Sequence, residues 1–202
     1  MVEIDAYAAD CRVHGTVDFG EGRVSDRLNQ ITELIIRDAR LEGISDGRTV
    51  AMPDLTIARD ELCAVVATGL RGDTARRLNT RTRLVEAEVG PYLIVGWVHG
   101  TPTSEPLDAI HRNQAWVALT EATVMYRCGG SDVREEMATI LVNRHRMRSL
   151  RAVETPSLDL HWDKPRVPEN VAPVAPSRKT APKPARPKSK RPRPPAASRP
   201  PA

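Results

Sequence analysis

The sequence predicts a mainly β fold: two tandem small β-barrel or sheet modules, each with one short helix, ahead of a disordered C-terminal tail. Three observations lead there. Alternating apolar residues recur through the first 155 positions, the mark of strands with one buried face. Several of these segments return 83 to 85 residues later. Proline density then changes, with five prolines in the first 163 residues and twelve in the last 39, which sets a boundary near Asp163.

The repeat is visible as Val13-His14-Gly15-Thr16 and Val98-His99-Gly100-Thr101, offset by 85. Val2-Glu3 pairs with Val85-Glu86, Asn29-Gln30 with Asn113-Gln114, and Leu34–Ala39 with Val117–Ala122. Ile57-Ala58-Arg59-Asp60 lies opposite Val142-Asn143-Arg144-His145. These matches divide the chain into module one at 1–70, a linker at 71–84, module two at 85–155 and a tail at 156–202. Within the linker, Asp73 to Leu78 suits a short helix. A unit of about seventy residues buries only a marginal core, so the copies are expected to cover one face of each other.

In order along each copy, a strand comes first, with apolar residues alternating through Val2, Ile4 and Ala6 and resuming at Cys11, Val13 and Val17; the second copy has the denser run Tyr92 to Val98. Gly15 and Gly100 fall where a strand bends or bulges. Short helices follow at Arg23–Asn29 and Pro106–Asn113, each with two apolar residues on one face. Ser25 and Asp26 are candidates for the cap of the first. Long strands are expected at Ile31–Leu41 and Trp116–Met125, followed by glycine-containing hairpin loops. Closing strands run over Thr49–Ala58 with Glu61–Ala67, and Ala138–Asn143 with Met147–Val153, where Pro53 makes the first an edge or broken strand. For residues 132–146 a helix is the competing reading, because Val133, Met137, Ile140 and Leu141 also fit helical spacing.

Composition narrows the class. Aromatic residues make up 3% of the chain, with Phe19 the single Phe, so the core rests on Val, Ile, Leu, Ala and Met. Cys11, Cys63 and Cys128 have no paired spacing, which favours reduced thiols and a cytoplasmic setting. No basic stretch leads into an apolar run at the N-terminus, and nowhere do eighteen apolar residues run together, so neither a signal peptide nor a transmembrane segment is expected.

Two short motifs carry a resemblance. Arg23-Val24-Ser25-Asp26-Arg27-Leu28-Asn29 and Leu141-Val142-Asn143-Arg144 resemble the pattern of an uncharacterised family of small bacterial β-rich domains, a domain of unknown function. In that pattern a glycine-ended strand leads to an Arg-x-Ser-Asp-x-Leu-Asn turn and helix, and a closing strand pair carries Asn-Arg. Copy two has Leu107–Asn113 in place of the first motif, and copy one has Ala58-Arg59 in place of Asn-Arg. The resemblance implies a fold and brings no activity with it.

No catalytic or metal-ligand spacing emerges, and no cofactor is expected. His14 and His99, each beside a glycine, are the candidates for an inter-module pocket. Trp97 and Trp116 are read as core or inter-module packing. The clearest functional signal is charge. From Lys164 onward eleven Lys and Arg face a single acid, a net +10, while the preceding residues carry −6. Arg178, Lys179, Lys183, Arg186, Lys188, Lys190, Arg191 and Arg193 are the candidate polyanion contacts. Two readings follow. One is a non-enzymatic binding or scaffold protein, with an unidentified protein partner and a tail contacting nucleic acid or another polyanion. The alternative is a small enzyme or ligand sensor with a site between the modules.

Overall fold

The computed structural model describes residues 1–68, 80–111 and 115–154. The linker helix expected at Asp73–Leu78, Asn113-Gln114 of the repeat, Trp162 and all eight tail cations lie outside the described residues. Ten strands form: β1 (Val2–Ala8), β2 (Cys11–Val17), β3 (Glu33–Gly43), β4 (Thr49–Ala58), β5 (Leu62–Ala67), β6 (Arg81–Val89), β7 (Tyr92–Gly100), β8 (Trp116–Cys128), β9 (Ser131–Asn143) and β10 (Met147–Ala152). Helix α1 (Val24–Gln30) precedes β3, and α2 (Pro106–His111) precedes β8. Single turns of 3-10 helix at Arg59–Glu61 and Arg144–Arg146 lead into β5 and β10.

The strands make one antiparallel sheet in the order β10-β6-β7-β8-β9-β5-β1-β2-β3-β4. Each half repeats one topology: a four-strand meander whose first strand pairs with the fifth. The sheet is open, so the barrel expectation gives way to a continuous sheet with β4 and β10 at its edges. Edge placement of β4 accommodates Pro53, which has no N–H for a second neighbour.

Register shows which residues correspond. Ile4 faces Gly15 across β1–β2 as Val85 faces Gly96 across β6–β7, an offset of 81. Leu34 faces Ile57 as Val117 faces Val142, which gives 83 in the third strand and 85 in the fourth. The expected matches of Leu34–Ala39 with Val117–Ala122, and of Arg59 with Arg144, agree with this register. The match through His14 and His99 does not. Val13-His14-Gly15-Thr16 corresponds to Ile94-Val95-Gly96-Trp97, and the identical tetrapeptide lies four residues further on.

The two glycines at the true register do the same work. The β2–β3 pairing shifts between His14 and Thr16, and the β7–β8 pairing between Val95 and Trp97. Opposite them, Asp38 and Glu121 take left-handed backbone conformations, φ 51° and 48°. A Cβ on Gly15 would lie 2.6 Å from Ile36 Cγ2 and 2.7 Å from the Arg37 carbonyl oxygen. A bulge of this kind bends its strand locally and increases its twist.

Each half packs its own core, from equivalent positions. Ile4, Ala6, Val13, Val17, Leu34, Ile36 and Ala39 fill the first, with Leu28 of α1 above them. Val85, Ala87, Ile94, Val98, Val117, Leu119 and Ala122 fill the second, with Ile110 of α2. Arg59 and Arg144 each donate to the carbonyl of that helix residue, Leu28 and Ile110, and so tie each helix to its 3-10 turn. The joint between halves is β5 against β9, Ala64 with Val142 and Val65 with Leu141. These two strands serve both cores: Leu62 and Val65 face the first, Cys63 and Ala64 the second. Trp116, from the second half, is buried in the first core, as expected of inter-module packing, whereas Trp97 is half-exposed.

Two expectations are corrected, and the alternative left open at residues 132–146 is decided for the strand. Residues 131–143 are strand throughout, because β9 pairs with β8 from Asn143 opposite Trp116 to Ser131 opposite Cys128; ladder bonding overrides the helical spacing. The cap of α1 is Arg23, with no side-chain cap bond, so Ser25 and Asp26 sit inside the first turn. Strand β6 begins at Arg81, inside the segment expected to be linker.

Candidate functional site

Strand alternation sends Ile4, Ala6 and Ala8 of β1 into the first core and turns Asp5 and Tyr7 to the opposite face, where Tyr7 is buried in the second half's core. On β2 the same rule turns Arg12 and His14 outward beside them, Arg12 opposite Tyr7 and His14 opposite Asp5. The second half then brings Tyr126 of β8 and Glu135 of β9 to this face. The result is a cluster of charged and aromatic groups where the two halves meet.

Arg12 is its centre. Its Nη1 donates to Glu135 Oε1 at 2.6 Å and to Tyr126 Oη at 3.3 Å, and its Nη2 donates to Asp5 Oδ1 at 3.2 Å. Tyr7 donates its hydroxyl to Glu135 Oε2 at 2.8 Å, and Tyr126 donates to Oε1 at 3.3 Å. Glu135 therefore accepts from three side chains, two from the other half. The guanidinium carbon also stands 5.4 Å from the centre of the Tyr7 ring, a cation–π contact. Below, the rings of Tyr7, Tyr92 and Tyr126 meet edge to face at centroid distances of 5.3 to 6.3 Å. Tyr92 donates its hydroxyl to the Ala8 carbonyl at 2.7 Å, another bond across the seam. Aromatic pairs of this geometry contribute about 0.5–1.5 kcal/mol each beyond the area they bury.

Protonation follows from burial. Burial pushes the Tyr7 and Tyr92 hydroxyls far above the usual phenol range, and the carboxylate of Glu135 adds to the effect at Tyr7. Tyr126 is pushed up to about 12 by burial and by Glu135, against the opposing pull of Arg12. Burial works against the charge of Arg12, but the oxygens of Tyr7, Glu135, Tyr126 and Asp5 outweigh it and hold the guanidinium ionised. All three tyrosines are thus neutral donors at physiological pH, and the arginine is a fixed cation. This chemistry orders the cluster and leaves no poised nucleophile in it.

Beside the cluster is a shallow concavity of about 280 Å³ lined by Asp5, Arg12, His14, Arg40, Glu42 and Thr49. His14 borders it with Nδ1 3.2 Å from Asp5 Oδ1 and Nε2 3.2 Å from Glu3 Oε1. His99 has a different setting. Its Nε2 is 2.7 Å from Thr120 Oγ1 and its Nδ1 3.1 Å from Thr80 Oγ1, both in the second half. Among the described residues the contacts of the two histidines share none, and register makes Val95 the counterpart of His14. His14 therefore lies on the first half's outer face, and its contacts are with Glu3 and Asp5 of that half.

Sequence reasoning missed Arg12, Glu135 and the three tyrosines. Arg12 and Tyr7 carry a partial signal, as alternate outward residues at a hairpin end. Glu135 carries none, because its two partners in the first half lie 123 and 128 positions away. Among the described residues no group of three His, Cys, Asp or Glu is placed to hold a metal ion, and no helix is long and apolar enough to cross a membrane. No family model matches the chain, and neither a curated protein nor a solved structure matches it.

Proposed function

We propose that this protein is a non-enzymatic binding protein, in which a two-half β body holds a partner-facing surface and a basic C-terminal segment engages nucleic acid or another polyanion. Charge segregation carries the reading: +10 over residues 164–202 against −6 over the rest. A polyanion binds such a segment by releasing its counterions, whatever its sequence. The acidic body repels the same ligand, which confines contact to the tail. The seam cluster supports the same view, because its donors and acceptors are spent on one another. As part of this proposal, the chain belongs with the small bacterial β-rich domains it resembles, through the Arg23–Asn29 and Asn143-Arg144 motifs.

Replacing the eight tail cations named above with Gln tests it. Binding of labelled single- and double-stranded DNA is followed by fluorescence anisotropy at two salt concentrations. The unaltered chain should lose about 10³–10⁵-fold in affinity between 50 and 200 mM salt, as for about six to ten phosphate contacts. The Gln variant should bind at least a hundredfold more weakly at the lower salt, on the order of what losing those contacts removes. Equal affinity of the two proteins would sink the reading.

A second reading, ligand sensing at the seam, draws on the Asp5–His14 contact beside the concavity. It predicts a small anionic or polar ligand that raises the melting temperature of the unaltered chain and not of His14→Ala.

A further inference from the structure

Strand β2 pairs with β3 only as far as Thr16 opposite Arg37, whereas β3 reaches back to Glu33 with β4 on its other side. Beside that unmatched stretch of β3 is a concavity of about 460 Å³, the size of a small-molecule site. Buried Val17, Phe19 and Leu34 give it an apolar floor. Ile35, also lining it, is 54% exposed, one of three large apolar residues so exposed among the described ones. Four charged residues complete the lining: Arg27, Arg37, Asp18 and Glu33. We infer that this concavity binds a small amphipathic monoanion, an apolar body carrying one carboxylate.

The second half shows the same place with a bond across it. Register makes His99 the counterpart of Asp18, and Thr120 that of Arg37. There His99 Nε2 lies 2.7 Å from Thr120 Oγ1 and so links the ends of β7 and β8. Gly100 takes the place of Phe19, and a Cβ on it would be 2.8 Å from Pro106 Cα, so the start of α2 presses on the strand end. In the first half Asp18 turns instead to its own turn, where the Gly20 N–H donates to its Oδ1 at 2.9 Å. Asp18 and Arg37 make no bond to each other, and the gap between them stays open.

Charge decides what suits the gap. Among the described residues the Arg37 side chain has neither a hydrogen bond nor an ion pair, although Asp54 lies opposite it in the β3–β4 register. Arg27 donates its Nε to the Glu21 carbonyl at 3.1 Å and has no carboxylate partner among the described residues. Its Nη2 stands 3.2 Å from the point a Cβ on Gly20 would take, so the guanidinium is held against the turn. Guanidinium donors without an acid, beside an apolar wall, match a carboxylate, which accepts two parallel bonds from one arginine. Asp18 and Glu33 balance the two positive charges over the lining as a whole. One negative charge is therefore favoured over two, since a dianion would set its second charge against those carboxylates.

Titration of the isotope-labelled full chain with octanoate, followed through its amide NMR shifts, reads the outcome. Uncharged 1-octanol and dianionic octyl phosphate are the comparisons. Shifts at residues 17–20 and 33–37 should saturate with octanoate. Octanol should bind at least about tenfold more weakly, the loss of a charged hydrogen bond. Arg37→Gln should weaken octanoate by a similar factor and leave the rest of the spectrum unchanged, because that side chain holds nothing in place. Asp18→His with Arg37→Thr builds the bond of the second half into the first, and should abolish the saturable shifts. These amides belong to the first half, so the result is read apart from any binding at residues 164–202, and a failure here is separate from a failure of polyanion binding. Shifts at these amides that never saturate, an affinity for octanoate that neither variant changes, or tighter binding of octyl phosphate than of octanoate would overturn the inference.

Discussion

Glu3, Asp5, Arg12, His14 and Glu42 form the outer face of the first half; at the equivalent positions the second half has Leu84, Glu86, Leu93, Val95 and Met125. The inward faces show the reverse relation. There Ala6 and Ala87, Val17 and Val98, and Ala39 and Ala122 are identical pairs, and Gly15 and Gly96 mark the same bulge. One topology thus fixes the residues that fill its core and leaves the outer face free to diverge. In the first half that face became a polar cluster that clasps Glu135 of the second. In the second it became an apolar cluster of Leu93, Val95 and Met125.

The sharpest break in this comparison is at the shared bulge. Gly15→Ala should cost about 3 kcal/mol, since its Cβ would meet a backbone oxygen at 2.7 Å that the sheet holds in place. Gly96→Ala should cost about 1 kcal/mol, because its nearest contacts are side-chain carbons of Leu119 and Ala122 at 3.1 Å. Urea unfolding of both variants measures the difference, and equal costs would mean that the two bulges are packed alike after all.

Next in size is the seam. Arg12→Leu installs the residue of the second half and strands Glu135 without its cation, at a cost of about 2 kcal/mol for a half-buried charged contact. Glu135→Val does the same from the other side. Combining them should recover at least half of the summed loss, since apolar partners replace a partly desolvated pair without penalty. A strictly additive double variant would show that Arg12 and Glu135 do not act on each other.

The smallest effect is with pH. Tyr126 is neutral in the folded chain up to about 12 against an ordinary value of 10, and Cys11 up to about 11 against 9, burial being the first cause in both. Below pH 9 both groups are protonated whether the chain is folded or not, and contribute no pH dependence. Above it the unfolded chain sheds protons first, so stability falls from pH 9 to 11 through Cys11 and from pH 10 to 12 through Tyr126. Urea midpoints at pH 8 and 10.5 should differ less in Cys11→Ala and in Tyr126→Phe than in the unaltered chain.

Much of the fold was legible. The two helices begin within a residue of where apolar spacing puts them, and β4 and β5 lie where alternation and Pro53 require. The candidate site was legible only in part. His14 borders a concavity on the first half's outer face, but its expected partner His99 was chosen by a tetrapeptide identity that strand register does not respect. Identity over four residues is a weak guide when β1 and β2 repeat at 81 and β4 at 85. Connections absorb the difference, and sequence alone gives no reason to prefer one offset.

The amino-acid pattern by itself determined where strands and helices form, which faces turn inward and how charge divides between body and tail, because these depend on neighbours a few positions apart. Only the tertiary structure decided that the halves share one sheet, that β9 meets β5, and that Arg12 finds Glu135. Those pairings join residues about eighty to more than a hundred positions apart. Which edge meets which depends on pairings between distant strands, which no local segment carries.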